Sequence, residues 1–189
     1  MAENIASAVN WYGPYNTIAE ARKAAQSDYK DGLYAIIGYN PDASARRKEL
    51  LYVGVGAPLS SRLIDSHHKM GSMEIAQIWL GEISSPKKAG KRLKKIEPHL
   101  DIVEWMIAYF LCLPNNEKKR ASPPDSSGVI LNRWFKAEDY ETSLPRPVAR
   151  WADVIEYDAG YGTANLVWFG RRGRVKNIKD VTALRISKA

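Results

Sequence analysis

The chain has 189 residues, of which 45% are hydrophobic and 26% are charged. This is the composition of a globular protein with a substantial core, so it excludes wholesale disorder. Lysine and arginine total 28 against 21 aspartates and glutamates, which gives a net charge of +7 at pH 7. A polyanionic partner such as nucleic acid would account for this surplus, and a basic surface that only aids solubility would account for it equally well.

The cysteine content and the apolar runs indicate where the protein works. Cys112 is the only cysteine, which excludes an intrachain disulfide and a Cys-rich zinc site and is typical of a reduced cytoplasm. The N-terminus lacks a basic segment followed by an apolar stretch, and the longest apolar run, 102–113, contains Glu104 and is too short to span a bilayer. We therefore expect a cytoplasmic protein without a membrane span.

The first half of the chain predicts mixed helices and strands. Thr17 and Glu20 have the spacing of a capping box and predict a helix that ends near Tyr29. Three apolar runs predict strands, and a serine-capped segment between the second and third predicts a helix. The predicted strands cover 33–39, 50–55 and 75–83, and the predicted helix covers 60–68.

The second half begins with helices and ends with strands. Pro86 at a first helical position predicts a basic helix over 87–96. The run 100–111 is apolar on nearly every face, which is typical of a helix at the centre of a fold. A polar stretch over 115–128 follows, and a hairpin is predicted with strands at 151–157 and 165–170. The segment 134–140 is ambiguous, and the tail tryptophans are expected to fill a core.

Five short features occur in one order along this pattern. Gly32-Leu33-Tyr34 lies on the first predicted strand and Tyr52-Val53-Gly54 on the second. Arg62 follows on the next predicted helix, Glu104 lies on the late apolar helix, and Pro114-Asn115-Asn116 comes after that helix. Together they resemble the signatures of the GIY-YIG nuclease family, over roughly residues 30 to 117.

The resemblance implies an α/β fold with a small central β-sheet flanked by helices, followed by a β-rich C-terminal extension. We therefore expect three parts: an N-terminal helical extension at 1–29, a nuclease domain at 30–120, and a basic, aromatic extension at 121–189.

The resemblance also implies a metal-dependent endonuclease that hydrolyses DNA phosphodiester bonds, of the restriction, phage or mobile-element type. Arg62 would bind phosphate oxygens through its planar fork. One of two tyrosines would orient or deprotonate the attacking water, and Glu104 would hold one divalent ion, Mg²⁺ or else Mn²⁺. The implied catalytic residues are Tyr34, Tyr52, Arg62, His67, Glu104 and Asn116.

Each of these residues also has a structural interpretation. Paired tyrosines on buried strands usually pack in a core, and an arginine such as Arg62, taken alone, is usually a surface residue. Glu104 lies among apolar neighbours, where a carboxylate is costly to bury, so it needs solvent, a lysine, or the favoured metal or arginine partner. His67 is a departure, because the family often places His or Tyr one turn after the arginine, and that position is Ser66 here. Asn116 follows a helix exit and fits a capping role as well as a catalytic one.

Double-stranded DNA is the expected partner, and symmetric cutting of both strands would indicate a homodimer. The rival hypothesis is a nucleic-acid-binding or interaction protein that keeps the nuclease scaffold without cleavage, and RNA remains an alternative substrate. The predicted DNA contacts are basic residues in the loop between the two signature strands and in the tail. They are Arg46, Arg47, Lys48, Arg171, Arg172 and Arg174.

Overall fold

A computed structural model describes residues 4–40, 46–64, 73–84 and 98–184 of the chain. The described residues form nine strands, three α-helices and two short 3-10 turns, at Leu59–Ser61 and Val181–Leu184. The helices are α1 (Ile18–Asp28), α2 (Pro98–Phe110) and α3 (Glu117–Arg120). The strands are β1 (Ile5–Tyr15), β2 (Gly32–Tyr39), β3 (Lys48–Gly56), β4 (Glu74–Ile83), β5 (Gly128–Lys136), β6 (Ser143–Leu144), β7 (Val154–Asp158), β8 (Thr163–Trp168) and β9 (Arg174–Ile178). The predicted basic helix at 87–96 lies outside the described residues.

All nine strands belong to one mixed, curled sheet, in the order β3-β2-β4-β1-β5-β7-β8-β9, with β6 paired to β5. The prediction of a small central sheet flanked by helices is therefore wrong. Its error comes from β1, which pairs antiparallel with β4 and parallel with β5. Because β1 lies between them, the strands after residue 120 continue the sheet of β2, β3 and β4.

The N-terminal segment contains the predicted helix and, before it, the unpredicted strand β1. The capping-box interpretation of α1 is confirmed, since Thr17 Oγ1 accepts a hydrogen bond from the Glu20 backbone N–H at 3.1 Å. The Glu20 carboxylate in turn accepts from the Asn16 backbone N–H at 2.9 Å. Strand β1 escaped prediction because Asn10, Gly13 and Pro14 interrupt its apolar pattern.

Each face of the sheet carries its own core. On one face, α2 packs Val103, Met106 and Ile107 into a large cluster that reaches from β1 to β9. On the other face, α1 packs Ala21 and Ala25 over β2 and β4. Because side chains alternate along a strand, β2 serves both cores: Leu33, Ala35 and Ile37 face the first, and Tyr34 and Ile36 face the second.

The tail tryptophans fill the larger core, as predicted. Trp151 meets Trp11 edge-on with ring centroids 4.9 Å apart, and it meets Trp134 in the same way at 5.7 Å. Trp11 Nε1 donates to Asn132 Oδ1 at 2.9 Å, and Asn132 Nδ2 donates to the Ala152 carbonyl at 2.9 Å. These contacts hold the C-terminal strands against β1. None of the helices in the described ranges has the length and apolarity that a membrane span requires.

Candidate active site

The two signature triplets lie on paired strands, with Tyr34 opposite Gly54 in the register of β2 and β3. The rings of Tyr34 and Tyr52 pack with centroids 5.7 Å apart. A Cβ atom on Gly54 would lie only 2.5 Å from Cζ of Tyr34 and 2.6 Å from its hydroxyl oxygen. The second triplet therefore ends in glycine because the Tyr34 ring lies directly over that position.

Arg62 follows a single 3-10 turn, and its backbone N–H donates to the Leu59 carbonyl at 3.1 Å. The longer helix predicted over 60–68 is not formed by its described part, 60–64. The Arg62 side chain lies against β3, because a Cβ atom on Gly56 would come within 3.0 Å of Arg62 Cγ. Arg62 is exposed, so its guanidinium is accessible to a ligand. His67 lies outside the described residues.

Glu104 lies on α2 and is buried, as its apolar neighbours predict. Its partner is Lys119 of α3, whose Nζ donates to Glu104 Oε2 at 2.8 Å. The same ammonium donates to Asp101 Oδ1 at 2.6 Å and to the Asp101 carbonyl at 3.2 Å. Among the partners considered from the sequence, lysine is therefore the one that forms this bond.

Electrostatic coupling joins four of the predicted residues. Burial raises the pKa of Tyr34, the neighbouring Tyr52 and Glu104 raise it further, and Arg62 lowers it. Burial likewise raises the pKa of Glu104, while Lys119 and Arg62 lower it. A hydrogen bond also joins Tyr34 to Tyr52. Tyr34 and Tyr52 are therefore in contact, and the charges of Arg62 and Glu104 lie near enough to shift the pKa of Tyr34, although the four residues come from well-separated parts of the chain.

Asn116 joins this region through the backbone of β3. Its Oδ1 accepts from the Val53 N–H at 3.0 Å, and its Nδ2 donates to the Val53 carbonyl at 2.7 Å. The Asn115 N–H donates to the Leu51 carbonyl at 3.2 Å. Although Asn116 precedes α3, its side chain makes no capping bond there. Its side chain therefore fixes the edge of the strand that carries Tyr52.

Lys119 is the site residue that sequence reasoning missed. It belongs to the basic run 118–120, which the sequence marks only as charged. No motif spacing connects it with Glu104, and only the packing of α3 on α2 brings them together. A contact of this kind has no local signal that could have identified it.

A divalent cation at Glu104 would have a single protein carboxylate as its ligand. Among the described residues, no group of three or more His, Cys, Asp or Glu side chains could hold a metal ion. Mg²⁺ does not require such a group, because it is often bound through one or two carboxylates with water and substrate oxygens. Glu104 already binds a cation, the ammonium of Lys119.

The basic residues predicted to bind DNA between β2 and β3 are partly neutralised by protein carboxylates. Arg46 pairs with Glu74, and its guanidinium lies 4.7 Å from the centroid of the Tyr39 ring. Arg47 Nε donates to Glu49 Oε1 at 2.7 Å, and Lys48 is exposed at the start of β3. Residues 41–45 of this loop lie outside the described ranges. The described part of the loop therefore offers less free positive charge than its sequence indicates.

The predicted contacts in the tail are more accessible. Arg171 and Arg172 are exposed in the loop between β8 and β9 and form no ion pair with the described residues. Arg174 opens β9, with its guanidinium 4.0 Å from the centroid of the Trp168 ring. The start of this loop is anchored by Arg146, which pairs with Asp153 and donates to the Phe169 carbonyl at 2.6 Å.

No protein-family model, no curated protein and no solved structure matches this chain. A functional assignment therefore depends on the residues of the site and their geometry.

Proposed function

We propose that this protein is a metal-dependent endonuclease that hydrolyses DNA phosphodiester bonds and is similar to GIY-YIG nucleases in its site residues. One observation carries the proposal. Tyr34, Tyr52, Arg62 and Glu104 belong to four segments, yet the two tyrosine rings pack together and the charges of Arg62 and Glu104 both act on Tyr34. An arginine can stabilise the charge that grows on a phosphate, a carboxylate can hold a cation, and a tyrosine hydroxyl can orient or deprotonate a water, which together suit phosphodiester hydrolysis.

The two tyrosines have different environments and therefore different roles. Tyr34 is 1% exposed, and its raised pKa keeps its hydroxyl protonated. Tyr52 is half-buried and is therefore the more accessible of the two tyrosines. We assign Tyr52 to the attacking water, and we assign Tyr34 to holding Tyr52 in place through their hydrogen bond.

The exposed guanidinium of Arg62 would bind the scissile phosphate. Its planar fork can donate two parallel hydrogen bonds to phosphate oxygens. Glu104 would hold Mg²⁺ or Mn²⁺, which when bound supplies Lewis-acid stabilisation of the phosphate and the leaving oxygen. Asn116 contributes by holding the β3 backbone next to Tyr52.

The positive charge of the chain supports a nucleic-acid substrate, and its free cysteine supports a cytoplasmic location. The net charge is +7, and the exposed pair Arg171 and Arg172 suits contact with DNA phosphates. Cys112 is a free cysteine, which fits a reducing compartment. We propose double-stranded DNA as the substrate, and symmetric cutting of both strands would indicate a homodimer.

The test is cleavage of supercoiled plasmid, a labelled DNA single strand and a labelled RNA, in Mg²⁺ and in EDTA. The variants are Glu104→Gln and Arg62→Ala, and the matched control is Glu156→Gln, which changes an exposed carboxylate on β7 that accepts from Asn165. We expect Mg²⁺-dependent cutting by the wild type and the control, loss of cutting in the two site variants, and binding retained by Glu104→Gln.

Two results would contradict the proposal. Cleavage that survives Glu104→Gln would show that the site is elsewhere. Binding without cleavage, over many DNA sequences and several divalent ions, would instead favour the non-catalytic nucleic-acid-binding protein.

A further inference from the structure

We propose that Lys119 competes with a divalent cation for Glu104, and that Asp101 provides a second position for the displaced ammonium. The inference rests on the proposed nuclease function, since it concerns the ion that Glu104 would hold. Lys119 thereby becomes a positioning residue that sets how tightly the site binds its cation.

Each proton of the Lys119 ammonium has a hydrogen-bond acceptor. A lysine ammonium has three protons, and three oxygen atoms of α2 accept them. These are Glu104 Oε2 at 2.8 Å, Asp101 Oδ1 at 2.6 Å and the Asp101 carbonyl at 3.2 Å. One of the three bonds is therefore made to the proposed metal ligand, and two are made to a neighbour one helical turn away.

The two carboxylates differ in exposure. The Glu104 side chain is 11% exposed, and the Asp101 side chain is 65% exposed. A charge pair attracts more strongly where water is excluded, so the ammonium neutralises Glu104 when no other cation is present. The Asp101 side of the contact is open to water, where an ion pair costs little to form or break.

A divalent cation on Oε2 of Glu104 would repel an ammonium that lies within hydrogen-bonding distance of the same oxygen. Lys119 does not need to enter solvent alone, because both of its other acceptors belong to Asp101 and lie on the exposed side. The flexible four-carbon stem of lysine allows a small displacement of this kind. Cation binding and the Lys119–Glu104 bond therefore exclude each other, while the Lys119–Asp101 bonds persist.

The proposal predicts opposite effects for its two residues. Lys119→Met removes the competitor, so the site should bind the cation about five- to tenfold more tightly. Asp101→Asn weakens the second position of the ammonium, so it should lower cation affinity by roughly two- to fivefold. A direct role of Asp101 as a metal ligand would also lower the affinity, and the double variant separates the two explanations.

The measurement is Mn²⁺ binding to the full chain without DNA at one fixed pH, followed by the electron paramagnetic resonance signal of free Mn²⁺. Lys119→Arg keeps the charge and should bind as the wild type does. Lys118→Met removes a neighbouring charge that makes no bond to Glu104, and it should change the affinity less than about twofold. Circular dichroism checks that each variant is folded.

If Asp101 acts only through Lys119, the double variant Lys119→Met/Asp101→Asn should bind Mn²⁺ as tightly as Lys119→Met alone. A double variant weakened by the same factor as Asp101→Asn would overturn the second position and show that Asp101 acts on the cation directly, as a ligand or through its charge. Unchanged or weaker binding by folded Lys119→Met would overturn the competition.

If Glu104→Gln then still abolished Mn²⁺ binding and cleavage, the proposed nuclease function would stand without this inference. If no metal supported cleavage, Mn²⁺ binding by wild type and Lys119→Met could still be compared, and only the proposed nuclease function would be rejected.

Discussion

The side chain of Asn116 pairs with both backbone polar groups of Val53, accepting from the N–H at 3.0 Å and donating to the carbonyl at 2.7 Å. This amide pairs with the outer strand of the sheet as a neighbouring strand would. We expect Asn116→Ala to lower the free energy of unfolding by about 2–4 kcal/mol, since two buried backbone groups lose their partners. Urea denaturation measures this loss.

Asn115→Ala is the matched control for Asn116. Asn115 contributes its backbone N–H to Leu51, and that bond survives truncation of the side chain. We expect the control to change stability by less than about 0.5 kcal/mol and to keep cleavage. Equal losses for the two variants would refute the pairing of the Asn116 amide with β3. Under conditions where it remains folded, Asn116→Ala should lose cleavage because β3 also carries Tyr52.

Gly54→Ala tests why the second signature triplet ends in glycine. The added methyl would lie 2.5 Å from Cζ of Tyr34, so the ring would have to leave its present position against Tyr52. We expect a loss of stability of about 1–3 kcal/mol from overpacking, and a loss of cleavage of at least about tenfold because the two hydroxyls lose their present geometry. Calorimetry and a plasmid assay at a temperature where the variant is folded measure both effects.

Gly38→Ala provides a control for overpacking alone. Its added methyl would meet the Glu74 carbonyl and Leu51, away from the Tyr34 ring. This variant should lose stability and keep its cleavage rate while folded. A Gly54→Ala protein as active as Gly38→Ala would mean that the placement of Tyr34 is not important for the reaction.

Local patterns predicted the elements that form locally. The capping box at Thr17 and Glu20 gives α1, apolar runs give β2, β3 and β4, and the apolar run around Glu104 gives α2. The sheet itself could not be predicted in this way, because β1 contains buried polar residues and pairs in parallel with β5, far along the chain. Parallel pairing leaves no turn signal between the partners.

The same difference separates the predicted from the missed residues of the site. Short motifs pointed to Tyr34, Tyr52, Arg62 and Glu104, and their role in catalysis stays a prediction. In the structure the two tyrosine rings are in contact, and the charges of Arg62 and Glu104 both act on Tyr34. Lys119 was missed because its contact with Glu104 depends on how α3 packs against α2. The pairing of Arg46 with Glu74 was missed for the same reason, since Arg46 lies just before β3 and Glu74 lies at the start of β4.

Relative to wild type, the Glu104→Gln variant should become more stable as the pH rises, because the wild type loses stability over that range. Burial raises the pKa of Glu104 above its ordinary value of 4.5, with Lys119 and Arg62 offsetting part of the effect. A carboxyl with a raised pKa in the folded state contributes stability when it is protonated, and that contribution is lost as the pH rises through the raised pKa. Glutamine resembles the protonated form at every pH.

We therefore expect wild type and Glu104→Gln to have similar urea midpoints near pH 4, with the variant more stable near pH 7. Lys119→Met should show a steeper loss of stability between these pH values, since it removes a charge that lowers the Glu104 pKa. A Glu104→Gln variant that is less stable than wild type at pH 7 would show that the bond to Lys119 outweighs the burial of the carboxylate.

Arg171 and Arg172 should contribute to DNA affinity through phosphate contacts. Both are exposed and form no ion pair with the described residues. Each phosphate contact releases counterions and adds about 0.9 to the slope of log affinity against log salt. Arg171→Gln/Arg172→Gln should therefore weaken binding on all duplex sequences alike and reduce this slope by about 2, as measured by fluorescence anisotropy.

Arg46→Gln is the control, since Arg46 already pairs with Glu74 and should change the slope less. If the control changed the slope as much as the double variant, DNA would lie along the β2–β3 loop, and the pairing with Glu74 would have to break on binding.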